Sequence, residues 1–182
     1  MASAGSERPW RYKAAAWLCF GLIMGSASIG ARAAATEPAT AAPGEVSLTV
    51  GGQVQHPLRL TVSDLRKLPP ITVDVSFKTG HGQVHAAFTG VSLWLLVERA
   101  GIAGEVGKDR HHLQHSVLVS GRDGYAVALS VGELDPRFEG KSVIIAYARD
   151  GQPIPENGIR LVVPGDQEGG RSVRDVVSVE LK

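Results

Sequence analysis

Residues 160 to 174 of this chain read RLVVPGDQEGGRSVR, and they decide how the rest is interpreted. A β-branched run ends at Pro164, and a glycine-rich turn then leads into a basic Arg-Ser-Val-Arg step. Glycines allow consecutive backbone N–H groups to point at one centre, which suits an oxyanion such as phosphate. Arg171 and Arg174 would add charge-assisted hydrogen bonds to the same anion. A solvated hairpin loop with two surface arginines fits the same residues, so local chemistry leaves both interpretations open.

The first 35 residues have the pattern of a signal peptide. Residues 14–29 are apolar or small and follow a basic segment, and small-x-small cleavage sites end at Ala33 and Ala35. No adjacent arginine pair occurs there, so the general secretory route is expected rather than twin-arginine export. We therefore expect a periplasmic or secreted protein with no stable membrane span after cleavage. An uncleaved membrane anchor is the alternative interpretation of the apolar run.

The remaining residues suit one domain. Residues 36–44 are rich in Ala, Pro and Thr and are predicted as a disordered lead-in, and residues 45–182 have the length of a single domain with one core. The formal net charge of +1 gives no indication of nucleic-acid binding. The one cysteine, Cys19, lies in the expected signal peptide. The exported chain would therefore contain no disulfide, no thiolate metal ligand and no cysteine nucleophile.

The pattern of apolar residues predicts an α+β domain that is rich in β-strands. Residues 71–77 alternate between apolar and polar side chains, which predicts a half-buried strand. Other strands are predicted at residues 45–51, 53–60, 116–120, 125–129, 142–148, 159–163 and 176–181.

Helices are predicted at three places. The longest covers residues 91–100 and is apolar almost all round, with Gly101 placed to cap its end. A short helix is predicted after Thr61. Another is predicted after Ser130, through a capping box that Ser130 would form with Glu133.

Four stretches in one order carry a family resemblance. Residues 61–69 read TVSDLRKLP, residues 88–93 read FTGVSL, residues 150–155 read DGQPIP, and residues 160–174 follow. Each stretch alone has little specificity, but their order resembles the oxidoreductase molybdopterin-binding domain family. That family has the fold of sulfite oxidases and of a bacterial periplasmic methionine-sulfoxide reductase subunit. The resemblance covers about residues 46–181, so a sulfite-oxidase-like fold is expected.

The resemblance implies a cofactor site at the quoted loop. In the family, the segment equivalent to residues 169–174 lies against the phosphate end of molybdopterin. Arg174 would take the basic position that contacts this region, with Gly170, Arg171 and Ser172 beside it. These residues are therefore the expected cofactor-binding group of the loop.

A second expected contact is the segment that follows residues 71–77. It reads as a loop, and its glycines and histidines are compatible with close approach to a ligand, which makes Lys78, Thr79, His81 and His85 candidate cofactor-binding residues. Catalytic family members have a molybdenum-ligating cysteine here, and counting back without gaps from Phe88 puts that position at Lys78. Lysine is a poor ligand for molybdenum, so oxygen-atom transfer by the usual route is not expected.

Other chemistry is less well supported by the sequence. His81 and His85 with His111, His112 and His115 could form an imidazole metal site, yet no acid or cysteine accompanies them in a recognised pattern. No Gly-x-Ser-x-Gly elbow indicates a serine hydrolase.

Three aromatic residues have two interpretations each. Trp94 is expected in the core, with a cofactor contact as the alternative. Tyr125 and Tyr147 are expected to pack with their hydroxyls hydrogen-bonded, or else to line a pocket.

Two functions follow as hypotheses. The first is an exported molybdopterin-binding oxidoreductase-family domain that binds a molybdopterin-type or other anionic ligand and works with a periplasmic redox partner. The second is a non-catalytic periplasmic module for ligand binding, sensing or partner docking. The sequence assigns no catalytic residue and no protein metal ligand to either.

Overall fold

The computed structural model describes residues 47–103, 110–155 and 158–182. The expected signal peptide and lead-in lie outside these ranges. Within them, no helix has the length and apolar character that a membrane span would need.

One mixed sheet holds five strands in the order β2-β1-β10-β5-β6. β1 and β10 run parallel, with Thr49 beside Ser178, and the other neighbours run antiparallel. The strands predicted at residues 116–120 and 125–129 correspond to β5 and β6, which form an antiparallel hairpin. The strands are β1 (Ser47–Gly52), β2 (Leu58–Thr61), β5 (Ser116–Gly121), β6 (Ala126–Ser130) and β10 (Val176–Leu181).

A second sheet carries the remaining strands. β3 pairs with β4, β4 pairs with β7, and both β8 and β9 pair with β7. All of these pairs are antiparallel. The strands are β3 (Ile71–Thr79), β4 (Gly82–Ser92), β7 (Ile144–Arg149), β8 (Gln152–Pro153) and β9 (Arg160–Val162).

The segment predicted as a loop over residues 78–85 is mostly strand, which corrects the sequence interpretation. β3 continues to Thr79 and β4 begins at Gly82, so only Gly80 and His81 form the turn. The Thr79 side chain closes this turn, because its Oγ1 donates to the Gly82 carbonyl at 2.9 Å and accepts from the His81 N–H at 3.2 Å. The glycines therefore indicate a tight hairpin end rather than an open loop.

Three short α-helices connect the strands. α1 (Val62–Leu65) starts with a full capping box, in which the Thr61 hydroxyl accepts from the Asp64 N–H and the Asp64 carboxylate accepts from the Thr61 N–H. α2 (Leu93–Ala100) begins two residues later than predicted, because residues 91 and 92 belong to β4. Gly101 ends α2 with φ of 68°, a conformation that suits glycine.

The capping box predicted for α3 (Val131–Leu134) is wrong. The Ser130 hydroxyl caps this helix by accepting from the Gly132 N–H at 3.2 Å, and not from Glu133. The Glu133 carboxylate instead accepts from Lys141 and from Arg171. The helix is thereby tied to the loop quoted at the outset.

Buried apolar residues form two clusters. The larger one combines residues of the first sheet, the helices and the second sheet, and it includes Leu48, Leu96 and Leu161, each with no exposed surface. The smaller one belongs to the second sheet and is centred on Phe77 and Phe88. Burial of one such side chain contributes roughly 1.5–3 kcal/mol to folding. The smaller cluster is the packed base on which the candidate site rests.

Candidate functional site

Two adjoining cavities share Arg160 and Arg174. The first, called here the polar cavity, has a volume of about 320 Å³. It brings together six of the eight candidate residues of the sequence analysis, from the two segments that the sequence singled out. Its lining consists of Lys78, Thr79, Gly80, His81, Arg160, Glu168, Gly169, Gly170, Ser172 and Arg174.

The second, called here the apolar-walled cavity, has a volume of about 420 Å³. Its apolar side chains come from β4 and from the segment that leads into β9. Both volumes lie in the range of small-ligand sites. Its lining consists of Phe88, Arg149, Ile154, Pro155, Ile159, Arg160, Arg174 and Asp175.

The loop of residues 164–174 is fixed against the β3–β4 hairpin. The Lys78 N–H donates to the Gln167 carbonyl at 2.9 Å, and Lys78 forms an isolated parallel bridge with Glu168. Gly169 lies on the Phe77 ring so closely that a Cβ there would be 2.9 Å from a ring carbon. The Tyr125 hydroxyl donates to the Gly170 carbonyl at 2.7 Å. These contacts hold the loop from both sides.

The backbone of this loop uses part of its own donor capacity. The N–H groups of Ser172 and Val173 donate to the carbonyls of Gly169 and Arg171, at 3.1 and 3.2 Å. The expected concavity of free glycine-loop N–H groups is therefore partly closed. The positive charge around the polar cavity comes mainly from side chains.

Ser172 aims Arg160 into the site. Its Oγ accepts from Arg160 Nε at 2.8 Å and donates to the Leu161 carbonyl at 3.1 Å. The Arg160 guanidinium lies 5.7 Å from the centroid of the Phe88 ring, and that of Arg149 lies 5.8 Å from the same centroid. A guanidinium at such a distance over an aromatic ring is stabilised by cation–π attraction. The aromatic base thus supports two cations at once.

The positive charges of Arg174 and Arg149 repel that of Arg160. Burial is the main cause that lowers the pKa of Arg160 to about 10, the positive charges of Arg174 and Arg149 contribute to the same shift, and Asp175 acts in the opposite sense. Arg149 has a partner, since its Nε lies 3.2 Å from Asp150 Oδ2. Among the described residues, Arg174 has no hydrogen bond or ion pair. An anion placed between Arg160 and Arg174 would relieve this repulsion.

Arg171 lies outside both cavities, although the sequence placed it beside Arg174 as a ligand contact. Its guanidinium binds both carboxylate oxygens of Asp166 and donates through Nη1 to Glu133 Oε1 at 3.0 Å. The pKa of Arg171 is raised, chiefly by the hydrogen bond to Asp166. Burial raises the pKa of Glu133, but the hydrogen bonds from Lys141 and Arg171 outweigh it and leave that pKa below its usual value. Arg171 therefore anchors the loop to α3.

His85 is also separate from the polar cavity. It pairs with Ser76 across the β3–β4 hairpin and lines a shallow depression with Asp74 and Asp150. The reason is the hairpin itself, because a residue four positions after the turn lies far along the strand. His81, in the turn, does reach the polar cavity.

The other histidines have structural partners. His112 is buried, and its Nε2 lies 3.0 Å from Asp135 Oδ2 and 2.9 Å from Arg137 Nη2. His115 Nδ1 lies 3.0 Å from the Lys182 carbonyl oxygen. In the ranges that the structure covers, no three His, Cys, Asp or Glu side chains are grouped so that they could hold a metal ion.

The sequence analysis missed several residues of the site. Arg160 stands in the quoted stretch and Arg149 precedes the Asp-Gly turn, but no local pattern indicated that both would contact Phe88. The Tyr125 hydroxyl is hydrogen-bonded as predicted, but the side chain is 52% exposed rather than packed, and its partner in the loop had no signal in the sequence. Trp94 packs against the larger core, as expected. Tyr147 also packs there, under the guanidinium of Arg66, but its hydroxyl forms no hydrogen bond among the described residues, contrary to the prediction.

The two sheets and the loop against them define a β-rich α+β domain of the sulfite-oxidase-like class. A solved structure with this fold is that of the sulfane dehydrogenase SoxCD from Paracoccus pantotrophus, with a TM-score of 0.62 and 21% identity over 78% of this chain and 39% of the SoxCD chain. A curated relative is an NADH nitrate reductase from Ulva prolifera, 31% identical over 159 residues. That match covers 72% of this chain and 18% of the nitrate reductase. The chain thus spans less than half of either protein.

The family model of the oxidoreductase molybdopterin binding domain matches residues 35–182. The chain therefore belongs to the oxidoreductase molybdopterin-binding domain family. The matched region contains no cysteine.

The residues of the site suit the phosphate end of a molybdopterin cofactor but not its molybdenum end. Arg160, Arg174 and Lys78 around one cavity suit its phosphate group, because phosphate is held by charge-assisted hydrogen bonds. No residue of the cavity offers the sulfur that molybdenum prefers. Lys78, the position that the resemblance gave to the cysteine ligand, lies in the cavity wall with an amine in place of a thiol.

Proposed function

We propose that this chain binds an anionic ligand, of the molybdopterin type or another, through Arg160 and Arg174. The observation that carries this proposal is Arg174, whose guanidinium lines both cavities and has no partner among the described residues. The positive charge of Arg174 lowers the pKa of another cation, Arg160. Two guanidiniums held together in this way favour an anion between them.

The ligand would extend across both cavities. Its anionic group lies in the polar cavity, where Lys78 adds a third cation. Its less polar part lies against Phe88, Ile154 and Ile159 in the apolar-walled cavity. This division matches the anatomy of small-ligand sites, in which apolar walls supply area and a few polar groups fix orientation.

We do not assign oxygen-atom transfer to the chain, because the position expected for the thiolate ligand is Lys78. The same observation favours the second candidate function. In that proposal the domain is a non-catalytic periplasmic module that senses a ligand or docks a partner through it. Both proposals include export by the amino-terminal segment, and the first includes a periplasmic redox partner.

The test is purification of the chain from a host that makes the molybdenum cofactor. Metal analysis and pterin fluorescence after oxidation then report each component separately. We expect bound pterin or another phosphorylated ligand, with molybdenum well below one equivalent. Stoichiometric molybdenum would contradict the non-catalytic assignment.

Arg174→Ala is the matched variant for the same preparation, with Arg59→Ala on the edge strand β2 as its control. We expect Arg174→Ala to lose the co-purified ligand and Arg59→Ala to retain it. Equal retention in wild type and Arg174→Ala would refute the anion site.

A further inference from the structure

Lys78 holds a fixed place in the wall of the polar cavity. Its backbone is tied to the loop by the hydrogen bond to Gln167 and the bridge to Glu168. Its side chain is exposed and, in the part of the chain that the structure describes, forms no ion pair. The amine is therefore anchored at its base and available at its tip.

The hydroxyl groups of the same cavity are already engaged. Ser172 Oγ accepts from Arg160 and donates to Leu161, and Thr79 Oγ1 donates to the Gly82 carbonyl. The cationic side-chain donors remain available. Among the described residues, Nε is the one nitrogen of the Arg160 side chain that forms a hydrogen bond, and the Lys78 and Arg174 side chains form none. The cavity therefore suits a charged ligand group better than a neutral polar one.

The charges that line the cavity are unbalanced. Lys78, Arg160 and Arg174 are cations, and Glu168 is the one carboxylate among the lining residues. These four residues carry a net formal charge of +2, so a group with a single negative charge would leave a charge of +1 unbalanced. A group with two or more negative charges would balance them, and the Coulomb gain rises with each added charge.

We infer that the polar cavity takes a metal-free oxyanion group that carries at least two negative charges, a diphosphate or a phosphate ester, with Lys78 as one of its three cationic contacts. This inference rests on the proposed anion site and names the chemistry of its ligand. Lysine suits this role because its ammonium is a compact point charge with three donors on a flexible stem. The residue at the position expected for a metal ligand thus supplies charge to an anion.

The test is calorimetric titration of the purified chain with inorganic phosphate and with inorganic diphosphate. We expect diphosphate to bind about tenfold more tightly, because it adds charge-assisted contacts to the same cations. Lys78→Gln should weaken diphosphate binding about tenfold and phosphate binding less. Lys78→Arg should restore most of the loss, and Lys67→Ala, at an exposed position two residues after α1, should change neither affinity.

The outcomes distinguish a failure of the role of Lys78 from a failure of the proposed anion site. If Lys78→Gln binds both probes like wild type while Arg174→Ala loses them, the role of Lys78 is refuted and the anion site stands. If Arg174→Ala also binds like wild type, the anion site itself fails.

A third titration uses phenyl phosphate to identify the source of the oxyanion. Tighter binding than inorganic phosphate, and dependence on Lys78, would support an organic ester whose ring lies in the apolar-walled cavity. Equal binding with the same dependence would support a free inorganic anion. Phenyl phosphate binding that is independent of Lys78 would contradict the inference.

Discussion

Arg171 and Arg174 lie in one loop and have opposite surroundings. Arg171 is bound by the carboxylates of Asp166 and Glu133, while Arg174 has no partner among the described residues and faces a second arginine. The same side-chain type thus stabilises the loop at one position and charges a cavity at the other. Proximity in sequence does not make two arginines one site. Four predictions test how far this division holds.

The largest effect is expected on ligand affinity. Arg174→Ala should weaken phosphate binding between about tenfold and a hundredfold, since one charge-assisted hydrogen bond contributes roughly 1.5–3 kcal/mol. Its melting temperature should stay close to that of wild type, because exposed positions change stability by about 0.5 kcal/mol or less. Calorimetric titration and thermal unfolding measure the two quantities. A large loss of stability in Arg174→Ala would end the distinction between the two arginines.

Arg171→Ala should have the opposite profile. It leaves two mostly buried carboxylates without their shared cation, and we expect a loss of roughly 1–3 kcal/mol in the free energy of unfolding, reduced from the fully buried case because Arg171 is 35% exposed. Urea unfolding measures this change. The phosphate affinity of the folded variant should fall only a few-fold. Arg171→Lys keeps the charge without the two-oxygen geometry and should lie in between.

A pair of neighbouring glycines tests whether packing fixes the loop. Gly169→Ala should destabilise the protein by roughly 1–3 kcal/mol, because its new methyl group would meet the buried Phe77 ring. Gly170→Ala is the matched control, since a Cβ there has nothing within 4 Å. Thermal unfolding of both variants is the measurement. Equal stability would show that the loop moves away from Phe77 at little cost.

The smallest effect is the pH dependence of the Arg171 anchor. The pKa of Glu133 in the folded chain lies below its ordinary value of 4.5. The stability that this group contributes is therefore present above pH 4.5 and is lost as pH falls through the folded pKa. The free energy of unfolding of wild type, measured with urea, should fall as the pH is lowered through that window. In Glu133→Gln part of this pH dependence should be lost. Glu98→Gln on the exposed face of α2 serves as the control, and an equal flattening there would contradict this assignment.

Local patterns predicted the strands well. The alternation over residues 71–77 identified β3, and the order of motifs placed Lys78, Thr79 and Arg174 in one site, where the structure also has them. The strand prediction succeeded because strand periodicity is a local property, whereas the binding of a cofactor by these three residues stays a prediction.

The predictions that failed depended on distant contacts. Glu133 lies 38 positions before Arg171, and no periodicity links the two, so their ion pair had no signal. His85 was placed with the ligand because its glycine-rich surroundings suggested a loop, whereas the Thr79 side chain closes a hairpin there. Side-chain partners across elements decide which cations remain available, and one sequence does not report them.

The anchoring of the loop has a consequence for how this domain tolerates change. The packing of Gly169 on Phe77, the hydrogen bond from Tyr125 to Gly170 and the ion pair of Arg171 with Glu133 fix the cavity wall. The wall therefore needs little ordering when a ligand arrives, and preorganised sites lose less affinity to entropy. It also means that position 78 can exchange one chemistry for another without loss of the scaffold. A domain built in this way can change what it holds more easily than it can change its shape.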